Sequence, residues 1–266
     1  MDALTRHRLS LLALDATELE PVTPEARAAR VYAAFLDRVP YETLSALERR
    51  RSIPADPESW PRTTDRLLRE TRTDGTGGTC FSLSYALAEL FRGVGANAAV
   101  TLGQHLTHRA PHAAVVLFGD EGPVLYDPSF LVPGGIPVRP GGSLDDGLFL
   151  HELEPRRGPM LALVRTGPDG TPKPLYSWIP MPAPPDSYLR SWIESFSNPR
   201  AGRIRMARRR GDELVSYAEE HDRVWVVTPA GRCEDAVGRD CVGALHRHFG
   251  LSEALLRAHF AAGARR

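Results

Sequence analysis

The stretch Thr76-Gly77-Gly78-Thr79-Cys80-Phe81-Ser82 decides how this chain is read, because one cysteine stands directly after a glycine pair and directly before a helical run. Leu83, Leu87, Leu90, Phe91 and Val94 follow at a spacing of about 3.6 residues, which is one buried face of a helix. The spacing predicts Cys80 in the first turn of that helix. Backbone N–H groups without intrahelical partners and the positive end of the dipole meet there and favour an anion. A nucleophilic cysteine requires such a setting. Gly77 and Gly78 can take positive φ and let another chain or a substrate approach the sulfur closely. The plainer reading is a buried cysteine acting as a small hydrophobe. A nucleophile needs a histidine and a carboxylate from elsewhere in the chain.

Both are supplied downstream. His112 opens the β-rich run His112-Ala113-Ala114-Val115-Val116, and Asp127 closes Leu125-Tyr126-Asp127 before Pro128-Ser129-Phe130. The connection Gly119-Asp120-Glu121-Gly122 reads as a hairpin. An antiparallel pairing across it brings the start of one strand beside the end of the next. A helix N-terminus facing the two strands then gathers a thiol, an imidazole to move its proton and a carboxylate to orient the imidazole. His105 and His108 are rivals for the base. They lie in the loop before Pro111 and are ranked as loop or substrate-side residues. His221, His246, His248 and His259 are expected at the surface or at caps. Cys233, Cys241, His246 and His248 lack a C-x-x-C pair, so no metal site is expected.

The rest of the chain sets bounds. Its 266 residues suffice for two or three compact units. Thirty-three Lys and Arg balance 33 Asp and Glu, which gives no electrostatic reason to expect nucleic acid or an anionic membrane as partner. Three cysteines are too few and oddly counted for a disulfide framework. The N-terminus lacks the pattern of a signal peptide, and no apolar run approaches the ~18 residues of a membrane span. A cytoplasmic protein is expected.

In order, Thr23 caps and Pro24 opens a helix whose face is Ala28, Val31, Tyr32, Phe35 and Leu36, ended by Val39-Pro40. A basic connection broken by Pro54, Pro57 and Pro61 follows, with Arg49, Arg50 and Arg51 read as exposed on a solvated turn. A short helix over 65–72 leads to the Asp74-Gly75 turn. Strands are expected at 98–102, 112–118, 124–127, 148–153, 160–165 and 175–179, enough for a small antiparallel sheet or barrel. After the proline cluster of 180–185 come a helix around Leu189 to Phe196, strands at 203–206, 214–217 and 224–227, and helices over 237–248 and 252–260.

These landmarks together resemble the arylamine N-acetyltransferase family, cysteine enzymes with a papain-like Cys-His-Asp triad in the transglutaminase-like superfamily. Val39-Pro40-Tyr41-Glu42-Thr43-Leu44 is similar to the family's "IPFENL" segment, and Gly77-Gly78-Thr79-Cys80-Phe81 to its "RGGxCFE" segment. His112 and Asp127-Pro128-Ser129-Phe130 fall where its histidine and "DVGFG" fall, and Leu245 to Leu251 resembles its C-terminal ending. The departures lie at the site: Thr76 replaces the arginine before the glycines, Ser82 the glutamate after Cys-Phe, and Thr43 the asparagine.

The resemblance implies an α+β fold: an N-terminal helical bundle over 1–95 with the nucleophile, a central antiparallel β-barrel over 96–184 with His112 and Asp127, and a C-terminal α/β lid over 185–266. It implies Cys80, His112 and Asp127 as catalytic residues and Tyr41, Gly78, Thr79, Phe81 and Phe130 as substrate-binding ones. The implied reaction is transfer of an acyl group from acetyl-CoA or another acyl-CoA to an arylamine, hydrazine or related amine through an acyl-cysteine. No tightly bound cofactor is implied. Alternatives are an amide synthase drawing on an acyl carrier protein, a transglutaminase-like amidohydrolase, and a non-catalytic binding module of the same fold.

Overall fold

A computed structural model describes residues 1–52, 56–108, 110–197 and 202–263. The Pro54 part of the expected proline-broken connection lies outside these residues. The N-terminal part is helical: α1 (Ala3–Leu11), α2 (Ala16–Leu19), α3 (Pro24–Arg38), α4 (Leu44–Ser52), α5 (Thr64–Asp74) and α6 (Cys80–Gly93). The Thr23 hydroxyl caps α3 by accepting from the Ala26 N–H, and Pro24 takes the first position, where a missing N–H costs nothing. Gly75 ends α5 in the left-handed conformation at φ +68°, which a side chain would resist.

The faces of α3 and α6 meet in one core, with Val31, Tyr32, Phe35, Leu83, Leu87, Leu90 and Phe91 buried among one another. Tyr126 reaches this core from the β region and stands edge-on to Tyr32 at 4.8 Å and to Phe91 at 5.1 Å. Helices and barrel therefore share apolar surface, and the helix bearing Cys80 is fixed against the strands beside it.

The central region is an eight-stranded antiparallel sheet curled into a nearly closed barrel. It is built from β2 (Ala98–His105), β3 (Pro111–Gly119), β4 (Gly122–Tyr126), β5 (Ile136–Pro137), β6 (Ser143–Asp145), β7 (Leu150–Pro155), β8 (Leu161–Thr166) and β9 (Pro172–Trp178). Their order across the sheet is β5-β4-β3-β2-β9-β8-β7-β6. Its interior is filled by Ala114, Val116, Leu125, Leu153, Leu163 and Tyr176. The fold class is α+β.

A second sheet of five strands runs β1-β10-β11-β12-β13. Its members are β1 (Tyr41–Glu42), β10 (Arg205–Arg210), β11 (Glu213–Ala218), β12 (Arg223–Thr228) and β13 (Gly231–Ala236). Helix α7 (Pro185–Ser195) precedes this sheet along the chain, and α8 (Cys241–Phe249) and α9 (Glu253–Gly263) follow it. The edge strand β1 comes from the N-terminal segment, with Tyr41 opposite Ala207 and Glu42 opposite Met206. The segment that pairs with the Gly78 loop before Cys80 is thus stitched to the C-terminal sheet.

Two expectations are corrected here. Arg49, Arg50 and Arg51 do not lie on a solvated turn; they close α4, where the negative end of the dipole suits cations. Arg49 is buried and donates to the carbonyls of Trp60 and Ser59, Arg50 donates to that of Phe196, and Arg51 pairs with Glu48. His259 is not at the surface either. It is 5% exposed, with Nδ1 2.6 Å from the Glu48 carboxylate.

Candidate active site

Cys80 is the first residue of α6, and Thr79 before it is extended and makes no side-chain capping bond. The loop that delivers Cys80 is held by backbone pairing. The Gly78 N–H donates to the Pro40 carbonyl at 3.2 Å, the Glu42 N–H donates to the Gly78 carbonyl at 3.0 Å, and Tyr41 bridges Gly78 in parallel. The buried Glu42 carboxylate accepts from the Gly77 N–H at 3.2 Å and from the Ser45 N–H at 2.8 Å. The glycines are required by crowding: a Cβ on Gly77 would run into the Pro40 carbonyl, and one on Gly78 into Ser82 Oγ and the Arg62 guanidinium.

Arg62 had no signal in the sequence. It is 5% exposed, pairs with Glu70 at 2.9 Å and donates to the Gly77 carbonyl. A cation from a separate loop therefore stands against the glycine pair and Ser82, next to a segment where Thr76 carries no charge. Glu70 also pairs with Arg66 at 2.6 Å, so losing Arg62 leaves it a partner, whereas losing Glu70 would leave the buried Arg62 without a carboxylate.

The β3–β4 register sets Val115 opposite Tyr126, so Asp127 falls opposite Ala114, two residues along the same face from His112. His112 Nε2 and Asp127 Oδ2 are 2.8 Å apart, with both residues 1% exposed. The other carboxylate oxygen accepts from the Ser129 N–H at 3.0 Å, the Ser129 hydroxyl at 2.9 Å and the Phe130 N–H at 3.0 Å. His112 Nδ1 is buried and has no hydrogen-bond partner among the described residues. Tyr176 lies against the imidazole at 4.1 Å between ring centres, with His105 at 5.0 Å and Phe130 at 5.1 Å.

Burial works against a charged imidazole, but the Asp127 carboxylate, joined by the Cys80 sulfur, pushes His112 up. Asp127 goes down for the reciprocal reason: burial opposes its charge, while His112 and the Ser129–Phe130 donors outweigh that opposition. His105, stacked on His108 at 4.3 Å, is pushed down to about 3 by burial and by the two histidines near it. It is neutral at neutral pH.

The signs give a stability prediction. A raised histidine contributes its full stabilisation below the unfolded pKa of about 6.5 and loses it as pH rises through the folded value. A depressed aspartate contributes above about 3.9 and loses its share as pH falls. The Tm advantage of the wild type over His112→Gln is therefore expected to be largest between about pH 4 and 6.5 and to shrink in alkali. Melting curves that run parallel across this range would contradict the pairing.

Tyr41, Thr79, Cys80, His112 and Phe130 line one cavity of about 440 Å³, together with Thr43, His105, His108, Arg165, Lys173 and Arg205. Asp127 stands behind His112. Phe81 is 0% exposed and packs with Trp60, Tyr188, Trp192 and Phe196, so its side chain belongs to the core. Gly78 acts through its backbone in the loop. Sequence reasoning missed Arg165 and Arg205, which strands distant in sequence bring to the cavity.

The fold and cavity place this chain among α+β proteins in which a helix-borne cysteine faces a histidine–aspartate pair on a β-barrel. Solved structures narrow the comparison. The arylamine N-acetyltransferase of M. smegmatis superposes with a TM-score of 0.76 at 19% identity, over 96% of this chain and 94% of that one. The enzyme from Salmonella typhimurium gives 0.77 at 16% identity, over 98% and 99%. The Mycobacterium marinum enzyme in complex with CoA gives 0.75 at 16%, over 94% and 96%. No protein-family model matches the chain, and no curated protein does. The chain has the arylamine N-acetyltransferase fold throughout its length.

Proposed function

We propose that the protein is a divergent arylamine N-acetyltransferase-like acyltransferase with Cys80, His112 and Asp127 as its catalytic residues. The observation that carries this reading is the single cavity shared by Cys80, at the start of α6, and His112, whose far nitrogen is bound to Asp127. The likeness in fold to a solved enzyme holding CoA supports an acyl-CoA as donor.

Cys80 gives its proton to His112 Nδ1 and its sulfur attacks the thioester carbonyl. The C–S bond to CoA then breaks, and the departing thiolate takes the proton back from His112. An amine attacks the resulting acyl-cysteine and yields its proton to His112, and the Cys80 sulfur leaves. Asp127 keeps the ring oriented and stabilises its charged form. Thioester exchange preserves the activation of the acyl group for the amide-forming step. In this proposal 1–95 carries the nucleophile, 96–184 carries the base and its partner, and 185–266 closes the cavity through β10 and β11. Tyr41, Thr79 and Phe130 contact substrate as cavity walls, and Gly78 contributes through the loop backbone. The protein works in the cytoplasm on small molecules.

Incubation with acetyl-CoA and no amine is expected to release free thiol and to add one acetyl mass to Cys80. An arylamine or hydrazine then discharges it, with parallel double-reciprocal plots. An adduct formed from a carrier-linked thioester but not from acetyl-CoA would move the reading to a carrier-dependent amide synthase. Acylation by an amide and discharge by water would indicate an amidohydrolase. No adduct with folded protein would leave a binding module.

A further inference from the structure

Arg165 on β8 is the feature of the cavity that this chemistry leaves unused. One guanidinium nitrogen donates to the Phe130 carbonyl at 2.6 Å, and the group lies over the rings of Phe130 at 5.5 Å and Phe149 at 4.8 Å. Its Nε is buried without a hydrogen-bond partner, and no carboxylate lies within ion-pair distance of it among the described residues. The two nearest carboxylates are engaged elsewhere. Asp127 holds His112 and the Ser129–Phe130 turn, and Asp146 holds Arg209 at 2.9 Å and His151 at 3.0 Å. Burial pushes Arg165 down to about 10, so it is still a cation at neutral pH. Arg165 is half-buried, with its Nε fully so; a cation held this way without a paired anion is costly, and a ligand that brings the anion removes the cost.

The rest of the cavity has the same sign. Among the described residues Lys173 and Arg205 line it and no Asp or Glu does; Arg205 pairs with Glu220 outside the lining, while its Nε has no partner among them. Walls of one charge sign concentrate counter-charged small molecules.

We propose that the cavity recognises a carboxylate on its small-molecule substrate, with Arg165 as the specificity-determining residue and the exposed Lys173 assisting from the rim. Position decides which anion this is. Arg165 is one aromatic ring, Phe130, away from His112, whereas the pantetheine arm holds the phosphates of CoA far from the thioester sulfur. An anion so near the thiol belongs to the acyl group or to the amine. Both sources present the same carboxylate: a half-thioester of a dicarboxylic acid, or an amine bearing a carboxyl group. These identities rest on the acyltransferase reading. The charge recognition does not.

The test uses alkylation of the intact protein by iodoacetate and iodoacetamide, reagents that differ in charge, with peptide mapping and exposed Cys233 as internal reference. The iodoacetate-to-iodoacetamide rate ratio at Cys80 is expected to exceed that at Cys233 by about tenfold, the scale of one hydrogen bond to a charged group. Arg165→Gln should lower the Cys80 ratio by about tenfold and Lys173→Ala by a few-fold. A purely structural role for Arg165 would slow both reagents alike and leave the ratio fixed, which would overturn the proposal. Should Arg165→Gln fail to fold, Lys173→Ala and the wild type decide. Benzoate must then protect Cys80 from iodoacetamide better than benzamide does, and equal protection would overturn the proposal.

Two turnover arms locate the carboxylate: succinyl-CoA against acetyl-CoA as donor, and 4-aminobenzoate against its methyl ester as acceptor. Arg165→Gln is expected to erase the preference in one arm. A Cys80 ratio that responds to these substitutions, with no acyl adduct from any thioester, would sink the transferase and keep the anion site. Acyl adducts with an unresponsive ratio would do the reverse.

Discussion

Cys80→Ser is expected to abolish acyl-enzyme formation, with a loss of turnover on the order of 10⁴ to 10⁶, while the circular dichroism spectrum stays that of the wild type. Serine keeps the size and the place at the start of α6, and Cys80 is only partly buried, so little packing is disturbed. What changes is the acid: a hydroxyl surrenders its proton far less readily than a thiol, and His112 has one free nitrogen with which to take it. The other two cysteines provide the contrast. Cys233 is exposed on β13, and burial beside Tyr217 pushes the Cys241 thiol up. Replacing either by serine is expected to leave the acetyl adduct unchanged. An adduct that survives Cys80→Ser, measured by intact mass after acetyl-CoA, would mean that another group carries the acyl chain.

How far this architecture could be read from the sequence follows from which features are local. The α3 and α6 faces, the capping Thr23, the Gly119–Gly122 hairpin and the Gly75 stop are each set by neighbours in the chain, and each is found where the spacing places it. The hidden elements lack such patterns. Helix α1 has no clean apolar face, with Thr5 and Leu9 its buried residues, and α4 is masked by three arginines, of which Arg49 and Arg50 donate to carbonyls and Arg51 pairs with Glu48. Strand β13 reads Gly231-Arg232-Cys233-Glu234-Asp235-Ala236, a polar edge strand held by backbone pairing to β12 rather than by an apolar face. Two-residue strands such as β1 and β5 are too short to show a period.

At the site, the sequence showed residue types but not long-range partners. Cys80, His112 and Asp127 could be named because a hairpin and a helix start constrain them. Arg62, Arg165 and His151 act through side chains that reach across loops and strands. His151 in particular is 1% exposed, with Nε2 3.0 Å from Asp146, a second buried histidine–aspartate contact that nothing in its flanking sequence announces. Nor did any pattern reveal that Tyr41 and Glu42 pair with β10 and so link the loop before Cys80 to the C-terminal sheet.

Asp127→Asn separates orientation from fold more sharply than any other single change. Asp127 uses its two oxygens for different tasks: Oδ1 accepts three bonds from Ser129 and Phe130, and Oδ2 faces His112 Nε2. Asparagine can keep its carbonyl oxygen toward the turn, which preserves the three bonds and the path of 127–130. Its NH₂ then points at Nε2 and makes that nitrogen an acceptor, so the ring proton moves to Nδ1, the nitrogen that takes the Cys80 proton in the proposed chemistry. The charge that holds His112 up is lost at the same time. Single-turnover acylation is expected to fall on the order of 10⁴-fold, about 5.5 kcal/mol of barrier, with secondary structure retained. The acid limb of the stability profile should flatten as well, because the depressed carboxylate no longer titrates. A loss smaller than about tenfold in folded protein would make Asp127 a turn residue and oblige some other group to orient His112.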